Sequence, residues 1–468
     1  MNRRKLLKYF VYGSLSSVLS SSFFLSNCKK QGKKDQSNIV LIIIDTLRYN
    51  GLGCCGNQLD LSPEIDKLAN KGIQFTQAIS SSGWTLPAIG SIFTGTWPTI
   101  HGGTGKGVKL RSIRWELPTA AEIFKNNGFD NTFGFANCAF LSPRLHIDRG
   151  FDTYDVNHAF NQKIRRADET IAAALKTIRR HRKESNFIFI HLFDPHLDYD
   201  PPPGYQTLFS KGRSQPKLPL SWHKCHNMMR NHGKNPPLKA DIDYIKSAYY
   251  GEIRFVDAHI GKLVDGLKKL GLYEKTAVVI TSDHGEEFWE HGGFEHGHTL
   301  YDELIKIPMI MKLPSFLSPA KKIIPSQVRH IDIMPTLFDL FGITKPASFL
   351  GRSLIPYIQG KTQKDLTAFS ESTLYSNEQL SWRTGSYKLI YNLHSDKKTE
   401  AELYNCKNDP EEKENLYDKL PEKRRELDRN LSQFYENMVK KVDKMSTPQI
   451  QNMSPRAIEA LESLGYIK

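Results

Sequence analysis

Three apolar runs, Asn38 to Ile44, Phe187 to Ile190 and Ala277 to Ile280, each lead into an aspartate: Asp45, Asp194 and Asp283. A lone aspartate in such a place is ordinarily a turn or cap residue. Here there are three, and Asp283-His284-Gly285 sets an imidazole directly beside a carboxylate, with His291, His296 and His298 following in a glycine-rich segment. Mixed oxygen and nitrogen donors suit zinc or manganese, whereas carboxylates and hydroxyls alone suit calcium or magnesium. The segment Ser82-Gly83-Trp84-Thr85-Leu86-Pro87-Ala88-Ile89-Gly90-Ser91 places a hydroxyl at the start of a helical stretch, where free backbone N–H groups receive an anion. Taken alone, it reads as an N-cap threonine followed by proline. Together these pieces offer donors for a divalent cation and a seat for an anion.

The elements that must position them are legible from pattern. The three apolar runs are β-branched and unalternating, as in strands buried on both faces of a parallel sheet, and ligands of open α/β sheets bind at the carboxyl ends of the strands. Ser62-Pro63 caps and opens a helix carrying Ile65 and Leu68, and Ala121 to Asn126 follows Pro118 in the same way. From Asp243 to Leu270, the residues Ile245, Tyr249, Ile253, Val256, Ile260, Leu263 and Leu267 form one apolar stripe at spacings of three and four. Alternating strands and helices predict a doubly wound α/β domain over residues 38–360. Pro201 to Pro237 reads as a long inserted loop. Residues 361–468 read as a small C-terminal α+β domain, with a short strand at Tyr387 to Tyr391 and a charged helix at Pro421 to Lys441.

The chain has 468 residues and a formal charge of +14. Arg3, Arg4, Lys5 and Lys8 precede a Ser-rich apolar stretch that reads as an export signal over residues 1–27, and removing them leaves about +10. Leu25-Ser26-Asn27-Cys28 resembles a bacterial lipobox, whose cysteine takes a lipid; residues 28–37 then form a linker whose lysines face anionic head groups. The Arg3-Arg4 stretch also resembles a twin-arginine export motif. These features place the protein in the cell envelope, exported and membrane-anchored. No zinc-finger spacing or aromatic-basic interleaving accompanies the charge, which excludes nucleic acid as partner and favours anionic substrates. Cys54, Cys55, Cys138, Cys225 and Cys406 define no disulfide framework.

The order of these motifs resembles the sulfatase family of the alkaline-phosphatase superfamily. The resemblance runs through Asn38 to Arg48, Pro63 to Phe75, Trp84-Thr85-Leu86-Pro87, Phe93-Thr94-Gly95 to His101-Gly102, Arg149-Gly150-Phe151-Asp152, His191 to His196 with Tyr199 and Pro201, and Ser282 to Glu286. It continues through His330-Ile331-Asp332 to Leu337, Glu402-Leu403-Tyr404 with Asp409-Pro410, and Leu464-Gly465-Tyr466. It implies an alkaline-phosphatase-like sheet sandwiched by helices. It also implies Asp45, Asp283 and His284 as metal ligands and Thr85 as a nucleophile that touches the metal. His298 stands where many sulfatases hold a sulfate-binding lysine, and the resemblance lets it form a second metal site with Asp194 and His196. Asn137, His191 and His196 are the implied substrate contacts.

The departures shape the functional expectation. Formylglycine needs Cys or Ser, then Pro two residues on and Arg two further; this chain reads Thr85-Leu86-Pro87-Ala88-Ile89, so no formylglycine forms by that route. A formylglycine hydrate releases sulfate by elimination, an exit that threonine lacks, whereas a phosphothreonine is resolved by in-line attack at phosphorus. The second aspartate beside Asp45 is replaced by Thr46, which disfavours a carboxylate-rich calcium site. The expectation is a hydrolase or transferase of sulfate, phosphate or phosphonate esters with one or two divalent ions. Zinc or manganese is favoured, with calcium or magnesium as the alternatives, and the ester is borne by a glycan, glycolipid or phospholipid head group. The competing class is a non-catalytic binding lipoprotein on the same fold, which the lost formylglycine motif favours.

Overall fold

The computed structural model describes residues 36–106, 109–156, 165–210, 237–375, 378–393 and 401–451. The export signal, Cys28, Cys225, most of the inserted loop and the terminal Leu464-Gly465-Tyr466 motif lie outside them. The described residues from Asn38 onward form one compact unit.

Its centre is an eight-stranded sheet. In chain order the strands are β1 (Asn38–Ile44), β2 (Ile73–Ile79), β3 (Asn131–Phe135), β4 (Thr153–Asp155), β5 (Asn186–Leu192), β6 (Thr276–Ser282), β7 (Lys306–Lys312) and β8 (Ile323–Arg329), arranged β8-β2-β7-β6-β1-β5-β3-β4. The three runs that end in aspartates are the adjacent central strands β5, β1 and β6, which pair in parallel. All strands run the same way except β7, which is antiparallel to both neighbours.

Each central strand is apolar on both faces because both are covered. Ile39, Leu41 and Ile43 of β1 pack with Phe187 and Phe189 of β5 in one core, and Val40, Ile42 and Ile44 pack with Ile188 and Ile190 in the other. Each such side chain contributes roughly 1.5–3 kcal/mol on burial. The first core holds helix α2 (Thr85–Thr94), α3 (Ala120–Asn126) and α6 (Ile333–Leu340); the second holds α1 (Pro63–Lys71), α4 (Ala167–Arg180) and α5 (Lys239–Lys269). All seven residues of the stripe read on α5 are buried. At α3 the cap is Thr119, which forms a reciprocal capping box with Glu122.

At α1 the cap differs from expectation. Ser62 occupies the N-cap position, but its hydroxyl accepts from Gly53 N at 2.8 Å, and the Asp257 carboxylate of α5 caps the helix by accepting from Glu64 N and Ile65 N. A long-range partner took the role that local sequence assigned to serine.

A four-stranded antiparallel sheet follows, comprising β9 (Ala368–Glu371), β10 (Gln379–Arg383), β11 (Lys388–Asn392) and β12 (Ala401–Tyr404), with α7 (Pro421–Val442) beside it. Leu380, Leu389 and Leu403 of this sheet share a core with Leu427 and Leu431 of α7 and with Trp97 and Ile100. Among the described residues no helix is long and apolar enough to cross a membrane.

Candidate active site

The carboxyl ends of β1, β5 and β6 bring Asp45, His191, Asp283 and His284 together, all fully buried. His191 Nε2 lies 3.4 Å from Asp45 Oδ2, and His284 Nε2 lies 3.5 Å from Asp45 Oδ1 and 3.4 Å from Asp283 Oδ2. The Thr85 hydroxyl, in the first turn of α2, is 3.3 Å from His284 Nε2. His284 Nδ1 donates to the Gly285 carbonyl at 2.9 Å, so Nε2 presents a lone pair toward Thr85 and the carboxylates. Thr85 is placed there because every residue of α2 is buried and the first turn of a helix leaves N–H groups without intrahelical acceptors.

The turns around the cluster are fixed by buried hydroxyls and rings. Ser80 Oγ donates to the Asp283 carbonyl at 2.6 Å, Leu47 N donates to Ser282 Oγ at 3.0 Å, and His330 Nε2 donates to the Ser282 carbonyl at 2.8 Å. Thr46 adopts φ 54°, a left-handed conformation costly for a β-branched residue. Tyr249 holds that turn, donating to Thr46 O at 2.8 Å while accepting from Arg48 N.

The donor set fits a divalent cation. One ligand atom from each of Asp45, His191 and Asp283 lies within 4.8 Å of the others. Neither Asp45 oxygen, nor Asp283 Oδ2, nor either ring nitrogen of His191 has a hydrogen-bond partner. Unpaired buried carboxylates are costly, and a cation among these atoms removes that cost. Burial and the Asp283 charge push Asp45 well above the usual carboxylate range. Burial also acts on Asp283, but His284 and His191 overcome it and hold that group low. Burial lowers His191 to about 4, leaving it neutral, the form that ligates metals. A second carboxylate-rich group, Asp302, Glu412 and Cys406, already holds cations of its own: Lys388 Nζ lies 2.9 Å from Asp302 and 2.6 Å from Glu412.

The remaining expected residues are redistributed. His191, expected as a substrate contact, stands among the atoms that could hold a cation. Asn137, also expected as a substrate contact, is engaged within the fold: its amide donates to the His191 carbonyl at 2.6 Å and to Thr170 Oγ1 at 2.9 Å, and accepts from Arg165 Nε at 2.9 Å. That leaves it a brace for β5. Asp194, expected as a metal ligand, accepts from Ala167 N at 2.8 Å, at the start of α4. His298 pairs with Glu287 Oε2 at 2.7 Å, and neither it nor Asp194 belongs to a group of three ligand atoms within 4.8 Å of one another among the described residues.

His196 does reach the cluster. Its Nδ1 donates to the Leu197 carbonyl at 2.6 Å, and its ring lies 5.0 Å from that of His296, which in turn lies 4.4 Å from His284. His296, Glu286 and Tyr199 are the residues that sequence reasoning did not single out for the site. Tyr199 donates to Glu286 Oε2 at 2.7 Å, and Glu286 Oε1 pairs with His296 Nδ1 at 2.8 Å, aligning that ring over His284. The signal was present in the run of histidines after Asp283, but spacing alone cannot rank His296 above His298.

A family model described as Sulfatase matches residues 37–343, and one described as N-sulphoglucosamine sulphohydrolase, C-terminal, matches residues 289–441. Similar proteins include "Uncharacterized sulfatase YidJ" of Escherichia coli (strain K12), 25% identical over 433 residues that cover 82% of this chain and 83% of that protein. The N-acetylglucosamine-6-O-sulfatase of Bacteroides thetaiotaomicron is 22% identical over 480 residues, covering 84% and 85%. Among solved structures, BT4656 in complex with its substrate D-glucosamine-2-N,6-O-disulfate has a TM-score of 0.72 at 20% identity, covering 86% of this chain and 98% of that one. The phosphonate monoester hydrolase of Agrobacterium radiobacter has a TM-score of 0.69 at 19% identity, covering 86% and 96%. At these identities the structural likeness is one of fold.

Proposed function

This chain belongs to the sulfatase family, and from that premise we propose that it is an envelope-located, divalent-metal-dependent hydrolase or transferase of glycan-borne sulfate or phosphate esters, with Thr85 as its nucleophile. The observation that carries the reading is the Thr85 hydroxyl 3.3 Å from His284 Nε2, beside both Asp45 oxygens and Asp283 Oδ2, none of which has a hydrogen-bond donor. The glycan class is supported by the relatives named for N-acetylglucosamine and glucosamine disulfate. Anchoring through a lipid on Cys28 is part of the same proposal, supported by the lipobox-like Leu25 to Cys28.

Asp45, Asp283, His284 and His191 would hold the cation, which supplies positive charge that lowers the Thr85 hydroxyl pKa and offsets charge on the ester oxygens. Mixed oxygen and nitrogen donors suit zinc or manganese. Thr85 Oγ1 attacks phosphorus or sulfur in line, the bond to the ester oxygen breaks, and the alcohol leaves with a proton. Water, or an acceptor alcohol in a transfer, then cleaves the Thr85 ester at the same central atom. The first-turn position of Thr85 favours the anionic group. His196 and His296 line the same end of the sheet, where their imidazoles orient ester oxygens. Phosphorus is favoured because resolving a threonine ester requires attack at the central atom, and no formylglycine elimination is open to Thr85.

The test is turnover of aryl phosphate monoesters, diesters, phenylphosphonates and aryl sulfates by wild type, Thr85→Ser and Thr85→Ala, with metal content measured on each. We expect Thr85→Ala to lose at least about 10³-fold in kcat. Thr85→Ser keeps part of the activity, and metal is retained. Unchanged turnover in Thr85→Ala sinks the nucleophile assignment, and a preference of wild type for aryl sulfate over every phosphorus ester overturns the phosphorus argument.

A further inference from the structure

Between β1 and α1 the chain carries two adjacent cysteines, Cys54 and Cys55, both half-buried and both free thiols. Their sulfurs lie 4.0 Å apart. Neighbouring side chains of an extended segment point to opposite faces, so this closeness has to be built. It comes from a single 3₁₀ turn, Gly53–Cys55, closed by Gly56, whose left-handed φ of 104° lets its N–H donate to the Gly53 carbonyl at 2.9 Å. Side chains from further along the chain hold the turn. Asp66 accepts from Cys54 N at 2.8 Å, and Gln74 Nε2 of β2 donates to the Cys54 carbonyl at 2.6 Å and lies 3.6 Å from Cys55 Sγ.

A cation stands close by. The Tyr49 hydroxyl neighbours Cys55, and burial followed by the two thiols pushes that phenol above its usual range. Lys306, the first residue of β7, holds its Nζ 4.5 Å from the Tyr49 ring centroid, and that ammonium makes no hydrogen bond or ion pair among the described residues. Burial lowers the Lys306 amine from its usual value, and Cys55 is among the groups whose charge acts against that.

Two sulfurs without further donors restrict the ligand. Among the described residues no third ligand atom of a His, Cys, Asp or Glu lies within 4.8 Å of both sulfurs, so the four protein donors of a structural zinc site are not assembled. The pair suits a soft monovalent ion that two thiolates satisfy. With metal–sulfur bonds of about 2.3 Å, the 4.0 Å span corresponds to an S–metal–S angle of roughly 120°, and straightening it moves the sulfurs apart by only ~0.6 Å. The Cys55 thiol and burial raise the Cys54 thiol, which slows its reactions as a single nucleophile. A coordinated ion deprotonates its ligands outright and escapes that restraint.

We propose that Cys54 and Cys55 form a dithiol site for one thiophilic monovalent cation, copper(I), with Lys306 as counter-ion of the complex. On binding, two S–H bonds break, two S–Cu bonds form, two protons pass to solvent and no oxidation state changes. The bis-thiolate complex carries one negative charge, which the Lys306 ammonium offsets.

The experiment titrates the full chain, reduced, free of oxygen and loaded with zinc, with copper(I) held by bathocuproine disulfonate. Wild type should withdraw one equivalent, with sulfur as the copper ligand by X-ray absorption. Cys54→Ser and Cys55→Ser should each retain copper at least about 100-fold more weakly at unchanged melting temperature, and Lys306→Gln about ten-fold more weakly. Phenylarsine oxide joins two thiols as a neutral dithioarsinite with loss of water, so it should bind wild type and Lys306→Gln equally and either serine variant far more weakly. Equal copper uptake by wild type and the double variant Cys54→Ser, Cys55→Ser overturns the site, as does copper bound through nitrogen or oxygen alone. Unchanged copper affinity in Lys306→Gln overturns the counter-ion, and so does an equal loss of arsenical binding there, which makes the lysine a support of the turn.

Discussion

At the scale of single residues, the division between touching substrate and shaping the site is set by hydrogen-bond satisfaction. Asn137 donates to two acceptors and accepts from Arg165, so it has little left to offer a substrate. Replacing it with alanine leaves the Arg165 guanidinium, Thr170 and the His191 carbonyl short of partners at a fully buried position. Asn137→Ala should therefore cost about 2–3 kcal/mol in urea unfolding. By freeing β5 near His191, it should weaken metal binding about ten-fold. KM for a small aryl ester measured at saturating metal should stay near wild type; a large rise in KM with unchanged stability would return Asn137 to the substrate. Asp194 and Asn137 share a lesson. Both are polar residues at strand ends, and sequence cannot distinguish a side chain that closes a neighbouring turn from one aimed at a ligand.

At the scale of elements, the small sheet is joined to the main body through a buried carboxylate. Glu371 of β9 accepts from Thr99 N at 2.7 Å and from the Thr99 hydroxyl, and burial pushes it from the usual 4.5 up to about 7. The folded state therefore keeps a proton that the unfolded chain releases near pH 4.5. Stability from this group is complete below that pH and is lost as pH rises toward 7. Comparing wild type with Glu371→Gln at pH 4.5 and pH 8 should show the wild-type advantage shrinking by up to about 3 kcal/mol across that window. Parallel pH curves for the two proteins would show that Glu371 ionises normally.

The central elements were legible for a physical reason. β1, β5 and β6 are covered on both faces, so burial requires uninterrupted apolar runs, and α5 shows its stripe because one side packs on the sheet. What was not legible depends on distant partners. The antiparallel β7 carries no local mark of its direction, and Asp257, 193 residues from Glu64, takes the capping role that pattern gave to Ser62. At the site, Asp45, Thr85, Asp283 and His284 were assembled from motif order. That His191 stands beside Asp45 while Asp194 caps a helix, and that His296 stands beside His284 while His298 pairs with Glu287, depends on which way side chains turn.

At the scale of the whole molecule, the two cores and the small sheet pack around a centre in which both Asp45 oxygens and Asp283 Oδ2 lack donors. A cation that binds only the folded chain stabilises it by mass action. Removing metal with a chelator should lower the melting temperature by several degrees and lower it further on prolonged dialysis. Restoring micromolar zinc or manganese should recover it, whereas an unchanged melting temperature with metal fully removed would mean that the cluster is balanced by protons alone. Asp45, His191, Asp283 and His284 are each fully screened from solvent, so an ion reaches them only when the structure opens. Exchange is then governed by opening rates rather than by affinity. The ion retained would be the one available when the chain closed around it, so the metal found in protein taken directly from cells would record the compartment in which it folded.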